Sequence, residues 1–171
     1  IRKLEPGSIL IINSNGNHSV KKYWRLEDHL KKNQNINNKD ISHNFDDELE
    51  KLLLDSVKRT LVSDVDVGAL LSGGVDSSLI AALMSEVSDK KINTYTIGFN
   101  DDSFNEAKYA KKIANHIGSN HTELYISNND YKDVIPKLND IYDEPFADSS
   151  QIPTTILSGL IKKNTSVVLS G

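Results

Sequence analysis

Residues 72–78, Ser-Gly-Gly-Val-Asp-Ser-Ser, constrain this chain more than any other stretch. An apolar, branched run from Val65 to Leu71 leads into them, and apolar residues at helical spacing from Leu79 to Val87 lead out. The pattern predicts a turn from a buried strand into a helix. Gly73 and Gly74 let the backbone bend sharply and approach a ligand, and Gly74 is expected at positive φ, where a branched side chain does not fit. Backbone N–H groups in such a turn form an anion-binding concavity, to which the helix N-terminus adds its dipole. Ser72, Ser77 and Ser78 add hydroxyl donors without bulk. A phosphate or pyrophosphate is therefore the expected ligand. Asp76 would repel it unless a metal bridges the two, and magnesium, held by one or two carboxylates plus phosphate oxygens, does this. The stretch lacks the Gly-Lys-Ser/Thr ending of a Walker A loop and the glycine spacing of a dinucleotide fingerprint. The plainer alternative is a glycine turn with Asp76 or Ser77 as a helix cap.

The rest of the chain supplies the frame for this loop. Ile92 to Phe99, Thr122 to Ile126 and Val167 to Leu169 read as further strands. Residues from Phe45 to Leu61, Ala107 to Ile117, Tyr131 to Tyr142 and Ile152 to Lys163 carry helical spacing, with Leu49, Leu52, Leu53, Val57 and Leu61 as the stripe of the first. Alternation of strands and helices predicts an α/β fold, a parallel sheet with helices on both faces. In such sheets ligands bind beyond the carboxyl ends of the strands. The Ser72–Ser78 loop, Gly98 after the second strand and Ser170-Gly171 after the last all fall there.

Before this domain, Ile9 to Ile12 and Val20 to Trp24 flank a turn cluster, Asn13 to Asn17, and predict a short N-terminal β-hairpin. Residues 26–44, Lys- and Asn-rich from Lys31 onward, read as a linker. His116 and His121 are expected at the surface. With no cysteine, the chain has no disulfide, thiolate metal site or cysteine nucleophile. Its net charge of -4 argues against general nucleic-acid binding, and no apolar run is long enough to span a membrane. A cytoplasmic location is the expectation.

The string Ser72–Ser78 resembles the pyrophosphate loop of the N-type ATP pyrophosphatases, enzymes that adenylate a substrate. Further stretches resemble the asparagine synthetase family in particular: Asp64 to Leu71, with Asp66 where proline is common, Thr96-Ile97-Gly98-Phe99, Asn105-Glu106-Ala107, Ile117 to Glu123, Asp143-Glu144-Pro145-Phe146-Ala147-Asp148-Ser149-Ser150, and Val168 to Gly171. Leu4 to Gly7 with Tyr23-Trp24 is similar to the last hairpin of the family's glutaminase domain.

The resemblance implies an adenine nucleotide alpha hydrolase-like fold. Residues 1–25 would close a truncated glutaminase domain, and 45–171 would be the N-terminal part of an ATP-binding synthetase domain. It implies ATP and Mg²⁺, aspartate as acceptor, ammonia from glutamine, and pyrophosphate release through a β-aspartyl-AMP intermediate. By position, Ser72, Gly73, Gly74, Asp76, Ser77 and Ser78 match the pyrophosphate loop, with Asp76 a metal ligand. Leu71, Ile97, Ser170 and Gly171 match adenosine-contacting positions, and for Leu71 and Ile97 plain strand core is an equal alternative. Asp143, Glu144 and Asp148 are either a substrate-side acidic cluster or a loop with Asp148 or Ser149 as helix cap. The reacting carboxylates are expected beyond Gly171, so this stretch alone should be inactive, and the reading allows a homodimer. Other readings are an amidotransferase for a different carboxylate, another adenylating enzyme with this loop, and a nucleotide-binding module without catalysis.

Overall fold

The computed structural model describes residues 2–33, 45–99, 105–144 and 147–171. The chain divides into two compact units, Ile1–Asp46 and Asp47–Gly171.

In the first unit, β1 (Ser8–Ile12) and β2 (His18–Lys22) pair antiparallel, with Ser8 opposite Lys22 and Ile12 opposite His18. The hairpin closes through Gly16, at φ 78°, whose N–H donates to the Asn13 carbonyl at 2.9 Å. At the open end Gly7, at φ 68°, lies so close to Trp24 that an added Cβ would sit 2.5 Å from the Trp24 carbonyl oxygen. Ile9, Leu10, Ile11 and Ile12 are all exposed, so turn geometry and the ladder hold this hairpin, without a core of its own. The stretch assigned as linker from its composition starts with a helix, α1 (Leu26–Asn33). Its first turn places Glu27 and Asp28 at the positive end of the helix dipole, which favours helix there. Residues 34–44 lie outside the described part of the chain.

The second unit opens with α2 (Phe45–Thr60), then runs β3 (Val67–Leu70), α3 (Val75–Val87), β4 (Asn93–Phe99), α4 (Ala107–Ile117), β5 (Asn120–Ile126), α5 (Asn128–Val134), a 3₁₀ turn at Ile135–Lys137, α6 (Leu138–Ile141), α7 (Gln151–Ile161) and β6 (Val167–Leu169). The four strands form one parallel sheet in the order β5-β4-β3-β6. Alternation along each strand divides the core in two. Ala69 and Leu71 face Val57 of α2, Ala81, Leu83 and Met84 of α3, and Ala110 and Ala114 of α4. Leu70, Tyr95, Ile97, Leu124 and Val168 pack with Leu157 and Ile161 of α7. Helices therefore cover both faces, as the alternating pattern predicts. Three alanines, Ala107, Ala110 and Ala114, form the buried stripe of α4 and let its backbone approach the sheet.

Local differences from the sequence reading have local causes. The helix expected over Tyr131 to Tyr142 is split, because Pro136 has no N–H for an α-helical bond. It also starts earlier, at a capping box in which the Ser127 N–H donates to Asp130 at 2.6 Å. Leu52 is on the predicted apolar stripe but 69% exposed, since only the Leu53, Val57 and Leu61 side of α2 meets the core. His121, expected at the surface, is half-buried in β5, where Nδ1 lies 2.9 Å from Thr94 Oγ1. His116 is exposed, as expected.

Candidate nucleotide site

The sheet order places its topological switch between β3 and β6: the chain leaves β3 through α3 on one face and reaches β6 through α7 on the other. The Ser72–Ser78 loop leaves the end of β3 there, and Ser170-Gly171 follows β6. The two meet closely. A Cβ added at Gly171 would lie 2.5 Å from the Ser77 nitrogen and 2.7 Å from the Asp76 carbonyl carbon, so only glycine fits against the first turn of α3.

The positive φ in the loop belongs to Gly73, at 88°, and not to Gly74, which sits at φ −72°, ψ 167° as the N-cap of α3. Tertiary packing decides between the two glycines. A Cβ at Gly73 would lie 2.8 Å from Tyr109 Cβ and 3.0 Å from the Ala110 nitrogen, so this residue carries the close contact with α4. At Gly74 the added atom would meet only Ser72 Oγ, at 3.3 Å.

Hydroxyls shape the loop from within. Ser72 and Ser77 Oγ atoms lie 2.8 Å apart, and Ser77 Oγ accepts from the Ser72 N–H at 3.2 Å. Ser72 Oγ accepts from the Gly74 N–H at 3.2 Å. The Ser78 hydroxyl donates to the Gly74 carbonyl, so its role is internal to the turn. The first helical bond of α3 runs from the Ser78 N–H to the Gly74 carbonyl, 3.1 Å. The N–H groups of Val75, Asp76 and Ser77 precede it and have no acceptor within the helix. Gly74 caps α3 without a side-chain bond, so neither Asp76 nor Ser77 is a helix cap. Asp76 is exposed in the first turn. A carboxylate beside unpaired N–H donors fits a magnesium ion shared with phosphate oxygens. Among the described residues no group of three or more metal-ligating side chains exists, so phosphate and water would complete such a site.

A cavity of about 420 Å³ lies over this junction, lined by Leu71, Ser72, Ser77, Ile97, Ser170 and Gly171 among others. These are six of the ten residues expected at a nucleotide site. Gly73, Gly74, Asp76 and Ser78 form the loop behind or beside it. The cavity also exposes a sheet edge. The Leu71 N–H donates to the Tyr95 carbonyl at 2.8 Å. In a parallel ladder alternate residues turn both backbone groups to the same side, so Ile97 points its N–H and C=O past the end of β3.

A second cavity, about 1050 Å³, lies toward β5 and shares Ile97, Phe99, Glu106, Ser150 and Pro153 with the first. The sequence pattern alone assigns no role to Glu106, Phe99 or Tyr95, which the fold brings to a cavity wall. The available signal for Glu106 was a carboxylate just before an amphipathic helix that follows the second strand of the sheet.

Gly98, expected to face a ligand, lies inside β4. The Tyr125 ring covers it, 2.6 Å from where a Cβ would stand. Tyr125 then donates to Glu123 at 3.0 Å, and Glu123 binds Lys111 of α4 at 2.7 Å. Hydrogen bonding to Lys111 holds the Glu123 carboxyl below its usual range, and the bond to Glu123 raises the Tyr125 phenol. This chain of contacts ties α4, and with it the wall behind Gly73, to β5.

The acidic stretch before α7 lines neither cavity through Asp143, Glu144 or Asp148. Asp148 Oδ1 accepts from the Ser150 N–H at 2.8 Å. That bond, with the Ser150 hydroxyl, lowers the Asp148 carboxyl from its ordinary value. Asp148 thus closes an Asx turn just before the helix; the N-cap of α7 is Ser150, which makes no side-chain capping bond, so neither Asp148 nor Ser149 is the helix cap. Pro145 and Phe146 lie outside the described residues. Among the described residues no helix is long and apolar enough to cross a membrane.

The family model described as asparagine synthase matches residues 48–171. The asparagine synthetase [glutamine-hydrolyzing] 1 of Bacillus subtilis is 33% identical over 171 residues, covering 100% of this chain and 26% of that protein. The asparagine synthetase [glutamine-hydrolyzing] of Bos taurus is 34% identical over 133 residues, covering 71% of this chain and 23% of that protein. The chain thus spans about a quarter of the length of the curated relatives it matches. Among solved structures, a glutamine-dependent NAD⁺ synthetase from Acinetobacter baumannii, in complex with ADP, superposes with a TM-score of 0.52 at 20% identity. That match covers 71% of this chain and 24% of the synthetase. It shows the same fold.

Proposed function

The chain belongs to the asparagine synthase family, and from that premise we propose that it forms the ATP-binding part of an enzyme that converts aspartate to asparagine. ATP adenylates the aspartate β-carboxylate, pyrophosphate leaves, and ammonia derived from glutamine displaces AMP. A carboxylate is a poor electrophile and its mixed anhydride with AMP is a good one, so the protein's task is to hold ATP and stabilise the departing pyrophosphate.

The observation that carries this reading is the convergence at the switch point. One cavity brings together the Ser72–Ser77 cradle, the glycine-only contact at Gly171 and the open backbone edge at Ile97. Its donors suit the three parts of an adenine nucleotide. The open N–H groups of Val75, Asp76 and Ser77 at the start of α3, with the hydroxyls of Ser72 and Ser77, would face the β- and γ-phosphates, as helix N-termini do. The Ile97 N–H and C=O offer the donor–acceptor pair that matches N1 and the 6-amino group of adenine. Leu71, Ser170 and Gly171 flank the nucleoside. Asp76 would hold a magnesium ion, whose charge would offset that of the leaving pyrophosphate. The A. baumannii synthetase, which shares this fold, is in complex with ADP, and this supports a nucleotide-binding reading.

Calorimetry of MgATP with the full chain, together with aspartate-dependent pyrophosphate release by the intact protein, tests the proposal. Saturable ATP binding and release that requires aspartate are expected. Absence of ATP binding removes the nucleotide reading. Release that ignores aspartate and requires a different carboxylate moves the chain to another substrate of the same chemistry.

A further inference from the structure

Resting on the nucleotide reading, we infer that Glu106 recognises the ribose of the bound ATP, its carboxylate accepting hydrogen bonds from the sugar hydroxyls. Three observations place it.

The first is the wall it occupies. Glu106 lines both cavities, beside Ile97 and Phe99 at the end of β4. It belongs to the turn that begins α4, and its carbonyl accepts from the Tyr109 and Ala110 N–H groups at 2.9 and 3.1 Å. Tyr109 and Ala110 are the same residues that pack against Gly73. Glu106 therefore stands between the phosphate loop on one side and the β4 edge on the other. A nucleotide with its phosphates on the loop and its base on that edge has its sugar between them.

The second is that the side chain is not used by the fold. Glu106 is the N-cap of α4 but makes no side-chain capping bond. Asn105 does that work instead, its Oδ1 accepting from the Ala107 N–H at 3.2 Å. Lys111, on the same helix, is paired with Glu123. Among the described residues none donates to the Glu106 carboxylate. An acid in a cavity wall without a partner at home is available to a ligand.

The third is chemical. A carboxylate only accepts hydrogen bonds, and it repels phosphate oxygens. Asp76 already stands where a metal would offset that repulsion. Away from the loop, the donors that ATP offers in pairs are the ribose hydroxyls. In doubly wound sheets, an acid past the second strand plays this part for dinucleotides. Here the second strand of the sheet in chain order is β4, and Glu106 follows it.

The test compares ATP, 2′-deoxyATP and 3′-deoxyATP by calorimetry with and without magnesium, using the full chain and its Glu106→Ala and Glu106→Gln variants. Hydrogen bonds to a charged group correspond to about tenfold or more in affinity. The unaltered chain is expected to bind ATP about tenfold more tightly than at least one deoxy analogue. Glu106→Ala should lose that preference by weakening ATP alone, with affinity for that analogue unchanged. The analogue thus doubles as a check that the variant folds. Glu106→Gln, which keeps one acceptor oxygen, should retain part of the preference. An equal loss for all three nucleotides overturns the inference, as does a sugar preference that survives in Glu106→Ala. A loss confined to magnesium-containing buffer overturns it in favour of a metal role. If the unaltered chain binds none of the three, the nucleotide reading itself fails, a result distinct from binding without sugar preference.

Discussion

Two polar loops in this molecule each carry aspartate into the start of a helix, and they use it in opposite ways. Asp148, before α7, folds its carboxylate back onto the Ser150 N–H. Asp76, in the first turn of α3, makes no such bond, and the turn is held instead by Ser72, Ser77 and Ser78. The surroundings differ as well. The Ser72–Ser78 loop is clamped between α4, which meets Gly73, and Gly171, which meets Ser77. The difference teaches how a carboxylate near a helix start should be read. One that closes on its own backbone is serving the fold, and one held out by a rigid turn is available to a ligand.

Substitutions can break this comparison, and the largest effect is expected at Gly73. In Gly73→Val a branched side chain must adopt positive φ and enter the space of Tyr109 and Ala110. ATP affinity should fall below detection, and thermal melting should show a large loss of stability. Gly74→Ala, at negative φ with only Ser72 Oγ nearby, should fold and keep most of its affinity. If Gly73→Val and Gly74→Ala behave alike, the strained position has been misassigned.

Asp76→Asn should come next. With no capping bond to lose, its melting temperature should match that of the unaltered chain, while magnesium-dependent ATP affinity drops on the order of tenfold or more. Calorimetry with and without magnesium reads both arms, and an unchanged magnesium dependence would return Asp76 to a purely local role.

Asp148→Ala is the mirror image. Loss of its bond to Ser150 should lower the melting temperature slightly, with ATP affinity unaltered. The native Asp148 carboxyl lies below its ordinary value, so its contribution is present above roughly pH 4 and disappears as pH falls through the native value. Denaturant titrations at pH 7 and below pH 4 measure this.

The smallest effect concerns His121, near the start of β5. Burial lowers its pKa, and its Nε2 is buried without a partner among the described residues. The unfolded chain then takes up the proton first. Stability is full above about pH 6.5 and declines as pH drops toward the lower native value. The urea midpoint should fall between pH 7 and 5, and His121→Asn should flatten that dependence.

The order of strands and helices, and the Ser72–Ser78 turn after a buried strand, were legible in the sequence. Each rests on short-range physics: apolar periodicity, glycine at a turn, small hydroxyl side chains. Leu71, Ser72, Ser77, Ile97, Ser170 and Gly171, expected together at a nucleotide site, are brought by the fold to one cavity. What stayed hidden depends on which surfaces meet. Nothing in Gly73-Gly74 says which glycine takes the positive φ until the start of α4 packs on one of them. Gly98 reads as a ligand-facing glycine until β5 pairs with β4 and Tyr125 lies across it. His121 reads as a surface residue until the same pairing sets it against Thr94. Glu106 reads as one charge among many until Asn105 takes the cap and the cavity wall takes the carboxylate. Local sequence determines the period and the turn, because those are set by neighbours a few bonds away. Register and helix docking decide the contacts, because they join residues far apart in the chain and only the assembled sheet specifies them.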